Sequence, residues 1–365
     1  KGYLPQLSFN GQVTYQSDVT KIPISFSLPG VDLSIPTISK TQFNVHGEID
    51  QTIYDGGAIK QQQQLYGANT DAQQQNIEVQ LYALKDRVNQ LYFGALLIEQ
   101  QLKQNSLIQK DIQNSIDRMQ VSVNNGVALK SNIDEMQAEL FQQQQNEISL
   151  KATQKAYLDM LGLFINLPLD ENTQLQAPLT LTVSDSIHRP ELSFYDFQRK
   201  SNLIQARMLN VGLRPKFLFF FQAGYALPGL NGFNVDPAPF YITGLRLSWS
   251  LGNFYTIRNQ RQLLNIDRQN IDIQRDLFLF NTHIALKQQN ADIIKLQQMI
   301  DLDNNIISKR TAVKNAAKVQ LDNGTTTVHD YISELDAEDQ AKQNLLLHQM
   351  QLIMAEYAYR NTAGN

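Results

Sequence analysis

The sequence predicts an α+β chain in which four short strands alternate with two very long helical hairpins, all arranged as an internal two-fold repeat. Three observations predict it. Segments recur at a fixed offset, two long stretches lack proline, and the short segments between them alternate apolar and polar residues.

Asn125-Gly126 recurs as Asn323-Gly324, an offset of 198 residues, and the strand ending at Ile53 recurs at Leu251 with that same offset. GYLP at Gly2–Pro5 recurs as GLRP at Gly212–Pro215 with an offset of 210. The discrepancy falls in the loop joining the first two strands of each half, where length changes are tolerated. Each half therefore reads strand, loop, strand, long helix, Asn-Gly turn, returning helix.

Each strand has one greasy and one polar side. In the first, Leu7, Phe9, Gly11, Val13 and Tyr15 alternate with Ser8, Asn10, Gln12 and Thr14. In the second, Phe43, Val45, Gly47 and Ile49 alternate with Asn44, His46, Glu48 and Asp50. The third, Phe217 to Tyr225, is nearly all apolar, and the fourth sets Leu245, Leu247, Trp249 and Leu251 against Arg246 and Ser248.

No proline interrupts Gly57–Asn124 or Phe254–Asn323. At 1.5 Å per residue such helices reach roughly 100 Å, too long for one globular core. In the first, Ile77, Leu81, Leu84, Val88, Leu91, Ala95, Ile98 and Leu102 form a heptad seam, which demands a coiled coil or a tube of neighbouring helices. In the second, the rougher seam of Ile266, Ile273, Leu277, Phe280, Ile284, Ala291 and Ile294 is interrupted by Asn270 and Lys287. The runs KQQQQ and FQQQQ lie within this rhythm and read as solvated helix faces. Gly126 and Gly324 supply the left-handed backbone at which each long helix must stop.

Composition removes several classes of function. The chain has 365 residues, a net charge of −4 and no cysteine, so disulfides, thiolate nucleophiles and Cys-ligated zinc are out, and nothing in the bulk electrostatics favours nucleic acid or an anionic membrane surface. No apolar run is long enough for a transmembrane helix. His46, Glu48 and Asp50 could suggest an acid–base site, but on one strand face they are strung along a line, about 7 Å apart, rather than converging. Neither a nucleophile elbow nor a zinc-protease, P-loop or dinucleotide motif occurs, and the five histidines lack metal-ligand spacing. No enzyme and no cofactor are expected.

Two environments demand strands with one greasy side: a half-buried soluble sheet, or a transmembrane β-barrel with lipid outside and water within. The long helices favour the barrel, because a few strands joined to them have no evident soluble core to cover. Four strands cannot close a barrel alone, so several chains must contribute. His46, Glu48, Asp50 and Arg246 then face a water-filled lumen. The competing reading is a soluble coiled-coil scaffold or adhesin with a small sheet as its cap. A lipid barrel predicts that Phe9, Val13, Ile49, Leu247 and Trp249 are exposed; a scaffold predicts that they are covered.

The residues resemble the TolC-type trimeric outer-membrane channel proteins of bacterial efflux and secretion. The resemblance covers essentially the whole chain. It rests on GYLPQLSF, the TIYDGG junction, RPELSFYDFQRKSNLIQARMLNVGLRP, and the tips RMQVSVNNGVALKSNIDEMQAEL and KVQLDNGTTTVHDYISELDAEDQAK, in that order. It implies a homotrimer with a twelve-stranded transmembrane β-barrel, four strands per chain, continued by a long periplasmic α-helical barrel with a mixed equatorial belt.

On that reading residues 1–55 hold strands 1 and 2 with an outer loop, and 56–160 the first helical hairpin. Residues 161–189 form the equatorial segment, with a short strand at Thr180–Val183, and 190–211 a further helix. Residues 212–253 hold strands 3 and 4 with loop Leu227–Pro239, and 254–365 the second hairpin. The repeat also leads us to expect a further helix and an export signal before Gly2.

The resemblance further implies that Gly126, Val127, Ala128 and Leu129, with Gly324, Thr325 and Thr326, meet a periplasmic adaptor (membrane fusion) protein serving an inner-membrane transporter. Asp330 matches an acidic pore constriction, with Ser333 and Glu334 as candidates for a second layer. Three symmetry-related Asp330 carboxylates would raise one another's pKa. The rival reading makes Asp330 a helix-start carboxylate favoured by the helix dipole. The tyrosine and arginine that brace the closed gate in the family are replaced by Leu321 and Thr326. A gate here would need other braces.

Overall fold

A computed structural model describes residues 2–20, 27–28, 31–32, 37–170, 173–176, 178, 186–232 and 234–365, excepting the side chains of 27, 28, 31 and 32. The strand expected at Thr180–Val183 lies outside the described residues. In order, the elements are β1 (Gln6–Tyr15), β2 (Ser27–Leu28), β3 (Val31–Asp32), β4 (Thr41–Tyr54), α1 (Ala58–Asn124), α2 (Lys130–Ile165), α3 (Pro190–Val211), β5 (Lys216–Leu227), β6 (Ala238–Ser248), α4 (Asn253–Asp322) and α5 (Val328–Ala363). They form two compact units, Lys1–Gln73 with Tyr195–Ile273, and Gln74–Phe194 with Gln274–Asn365.

The first unit holds an antiparallel sheet in the order β1-β4-β5-β6. Directly paired residues share a face, so the register assigns both sides of the sheet. Asn10 pairs with His46, Ser8 with Glu48, Glu48 with Gln222, and Leu218 with Arg246. His46, Glu48, Asp50 and Arg246 therefore lie on one side. The other side carries Leu7, Phe9, Val13, Ile49, Phe221, Tyr241 and Leu245.

That apolar side is bare. Phe9 is 78% exposed, Val13 72%, Leu247 60% and Trp249 52%, while Ile49 is half-buried between its neighbours. The edge strands β1 and β6 have no outer partner among the described residues.

The fourth strand differs from expectation. It runs Ala238–Ser248, so Pro239 lies inside it, while Trp249 and Leu251 lie beyond its end. Proline is tolerated there because β6 is an edge strand, where a missing N–H breaks no ladder bond on the open side. Trp249 instead donates its indole Nε1–H to the Leu213 carbonyl at 2.9 Å.

In the second unit the core uses mostly other residues than the heptad seams, although Ala95 of the first seam is buried. Phe93 and Leu96 pack with Met350, and Ile108, Ile112, Ile116 and Met119 pack with Ile133, Met136, Tyr331 and Leu335. On α4 the buried positions include Leu286, Ile293 and Leu296, whereas Ile273, Leu277, Phe280, Ile284 and Ile294 remain exposed. The α4 stripe stays exposed, whereas the α1 seam is open at Ile77, Leu81 and Leu84 and is half-buried or buried from Val88 to Leu102, with Ala95 almost inaccessible. α2 continues to Ile165, into the stretch assigned to the equatorial segment, and stops where Asn166 adopts φ 52°.

Candidate functional site

Both long helices end in one and the same motif. In the first, Gly126 N–H bonds the Val123 carbonyl and Val127 N–H the Ser122 carbonyl. In the second, Gly324 N–H bonds the Leu321 carbonyl and Thr325 N–H the Gln320 carbonyl. Gly126 has φ 71° and Gly324 φ 70°. These are two Schellman caps related by the sequence repeat, and each requires the left-handed glycine.

The starts of the returning helices differ. α5 begins at Thr327, whose hydroxyl accepts from Asp330 N–H at 3.1 Å while the Asp330 carboxylate accepts from Thr327 N–H, a complete capping box. The corresponding α2 N-cap is Leu129, which offers no side-chain cap. Leu129 is 70% exposed and Val127 77% exposed. An N-cap leucine forgoes about 1 kcal/mol of helix stability and leaves an apolar side chain in water. The first tip is therefore greasy where the second, with Thr325 and Thr326, is polar.

Asp330 is exposed, and hydrogen bonds from the Thr327 hydroxyl and N–H and from the Thr326 hydroxyl hold its carboxyl below the usual carboxylate range. Within one chain the shift is thus the reverse of that expected from clustered carboxylates, and the helix-start role is realised. Thr326, at the family's arginine position, binds Asp330, while Leu321, at the tyrosine position, packs on the core. Ser333 is exposed, and the Glu334 carboxylate faces Arg310 Nη1 of α4 at 3.5 Å. Asp330 and Ser333 lie on the side of α5 opposite the one buried by Tyr331 and Leu335.

Beneath the tips lie polar ties that sequence reading missed. Tyr331, almost fully buried, meets Ser115 of α1 at 3.2 Å through its hydroxyl. Glu338 is buried, with Lys314 Nζ at 2.9 Å, Thr311 Oγ1 at 2.7 Å and Lys342 Nζ at 3.2 Å. Burial pushes its carboxyl up, but the bonds from Thr311, Lys314 and Lys342 together hold it below the ordinary glutamate range. Desolvation and the carboxylates of Glu139 and Asp339 push Asp336 up to about 6, although part of that residue stays exposed. The Tyr331–Ser115, Glu338–Lys314 and Glu338–Thr311 pairs have no local sequence signal, since their partners lie on different helices; only Glu338 and Lys342 stand four residues apart on one helix.

The polar side of the sheet is a line of groups, as its spacing predicts. Gln222 Nε2 donates to Glu48 at 2.9 Å and Asn10 Nδ2 to Glu48 at 3.4 Å. His46 Nδ1 meets Asn44 at 2.8 Å, and Arg246 stands over the Phe220 ring at 5.0 Å. β5 and β6 also place Phe220, Phe240 and Ile242 on this side, so it is polar along β1 and β4 and mixed along the other two strands. No group of side chains suited to a metal ion occurs among the described residues. No described helix is long and apolar enough to cross a membrane.

Residues 1–166 match the family described as outer membrane efflux protein. No curated protein matches the chain. The fold is similar to that of the outer membrane protein VceC from Vibrio cholerae, with TM-score 0.71 and 10% identity over 100% of this chain and 87% of that one. It is similar to the Campylobacter jejuni CmeC outer membrane channel, with TM-score 0.67 and 12% identity over 100% and 78%. The open state of the Neisseria gonorrhoeae MtrE outer membrane channel gives TM-score 0.71 and 12% identity over 100% and 81%. At such identities the likeness is one of fold.

Proposed function

We propose that this chain is a TolC-type outer membrane efflux protein and that three copies of it form a passive exit duct across the bacterial outer membrane, fed by a periplasmic adaptor and an inner-membrane transporter. The observation that carries this is the sheet: one side is largely apolar and open, and both edge strands lack an outer partner among the described residues. In lipid every backbone group must be paired, so open edges require closure into a barrel. Four strands are too few for a lumen, and three chains supply twelve. The exposed stripe of α4 and the exposed start of the α1 seam, Ile77 to Leu84, give the same copies a helical interface. The duct itself carries out no chemistry.

Conductance across a planar lipid bilayer tests this reading. Discrete, long-lived steps are expected from the folded trimer; a folded trimer that never inserts would sink it. Asp330 is the proposed constriction, since its open face and its ionised carboxylate suit a cation-attracting ring, with Ser333 and Glu334 one turn deeper. Asp330→Asn is expected to reduce cation selectivity and relieve block by multivalent cations. Unchanged selectivity would leave Asp330 with its capping role alone.

The tips are the proposed adaptor contacts, Val127 and Leu129 supplying the apolar part. Leu129→Thr installs the missing cap and should stabilise α2 by about 1 kcal/mol while weakening adaptor binding. Thermal unfolding and a pull-down with the adaptor measure the two effects separately. A variant equally stable and equally bound would refute the assignment.

A further inference from the structure

The chain is acidic overall, yet cations gather where the helices adjoin the sheet. Between 196 and 216 they outnumber the single carboxylate of Asp196, and over 253–268 Arg258, Arg261 and Arg268 face only Asp267. Arg207 and Arg258 are exposed and have no partner among the described residues, while Arg261 bonds Asn210 at 2.5 Å.

Arg207, Arg261 and Arg268 line one groove, and Arg258 stands about one turn before Arg261 on α4. Ser201 Oγ donates to Asn69 of α1 at 2.7 Å, and Asn202 Nδ2 donates to the Leu264 carbonyl of α4 at 3.1 Å. Both neighbours therefore lie on the side of α3 opposite Leu203 and Arg207, which leaves those two exposed. Two grooves flank them there. The α1/α3 groove, about 560 Å³, is floored by Ala68, Leu203 and Ile204; the α3/α4 groove, about 360 Å³, is rimmed by Arg207, Arg261 and Arg268.

Their height relative to a bilayer follows from the neighbouring aromatics. Tyr54, Phe217, Trp249, Phe254 and Tyr255 are all exposed at the helix side of the sheet. Such a girdle marks the boundary of the hydrocarbon. Arg207 and Arg258 lie within about two helical turns of the helix ends joined to the strands, and Arg261 one turn further. Long arginine side chains bring their heads to the phosphate layer from there.

We propose that this face binds anionic phospholipid headgroups of the leaflet on the helix side, with Arg207, Arg258 and Arg261 holding phosphate and Leu203 beneath. The inference rests on the sheet being the membrane barrel.

To test it, trimer would be reconstituted in nanodiscs of phosphatidylethanolamine alone or in an equal mixture with phosphatidylglycerol. Lipid retained after transfer to detergent is then quantified, and conductance is recorded in bilayers of both compositions. Wild type should retain phosphatidylglycerol preferentially, and R207Q/R258Q, which breaks no described contact, should lose about fivefold in affinity per arginine removed. R261K, which keeps the charge, should retain the preference. Equal retention of both lipids, or full retention by the double variant, in protein that still conducts would overturn the inference and leave the duct standing. A double variant with altered ion selectivity but unaltered lipid retention would place these arginines on the pore and overturn it too. Wild type that inserts in neither bilayer would remove both readings.

Discussion

Phe9→Arg is expected to cost about 2–4 kcal/mol per chain, the penalty of a cation on the lipid face near mid-bilayer. Phe9 is 78% exposed and pairs across β1 and β4 with Gly47, whose missing side chain leaves open space beside it. In a soluble sheet an arginine at so exposed a position would change stability by less than about 0.5 kcal/mol. The two environments thus give opposite answers to one substitution. The adjacent Asn10→Arg is the control, since it points to the other side, toward Glu48. Denaturant titration of reconstituted trimer, with the fraction inserted into vesicles, should show a large loss for Phe9→Arg and little for Asn10→Arg. Equal, small effects would favour the scaffold reading.

Lys314→Met should destabilise the second unit by about 3 kcal/mol, because it leaves the nearly inaccessible Glu338 carboxylate short of its closest cation. Thr311 and Lys342 remain and limit the damage. The double variant Lys314→Met/Glu338→Leu should recover most of the loss, since removing both partners strands no charge. The sign with pH is fixed by the depressed Glu338 pKa. Its contribution is fully present above 4.5, the ordinary glutamate value, and is lost as pH falls through the lower folded value. Lys314→Met should flatten that acid loss. Urea unfolding of all three proteins across this range provides the check, and a single variant as stable as wild type would show that the pair contributes nothing.

Much of the architecture was legible in residue order. The 198-residue repeat located both tips, and the structure places the same cap at Gly126 and Gly324. Alternation set His46, Glu48, Asp50 and Arg246 on one side of the sheet, as the register has them. The fourth strand was misplaced because Pro239 reads as a loop residue until its strand is known to be an edge. The heptads at Ile77 and Ile273 were legible as apolar stripes, but not which of their positions the chain buries, as at Ala95, and which it leaves exposed.

By itself, then, the sequence determined the periodic features: strand faces, helix lengths, the glycine stops and the absence of a catalytic motif. These follow from backbone geometry, which repeats every two or every 3.6 residues and so leaves a local trace. Only the tertiary structure decided which stripes the chain buries and which it leaves exposed. Only it showed that Tyr331 reaches Ser115, that Glu338 gathers Lys314, and that Arg207 of α3 and Arg261 and Arg268 of α4 line one groove. Those contacts join residues on separate helices, and their positions are set by how the helices pack rather than by spacing along either one.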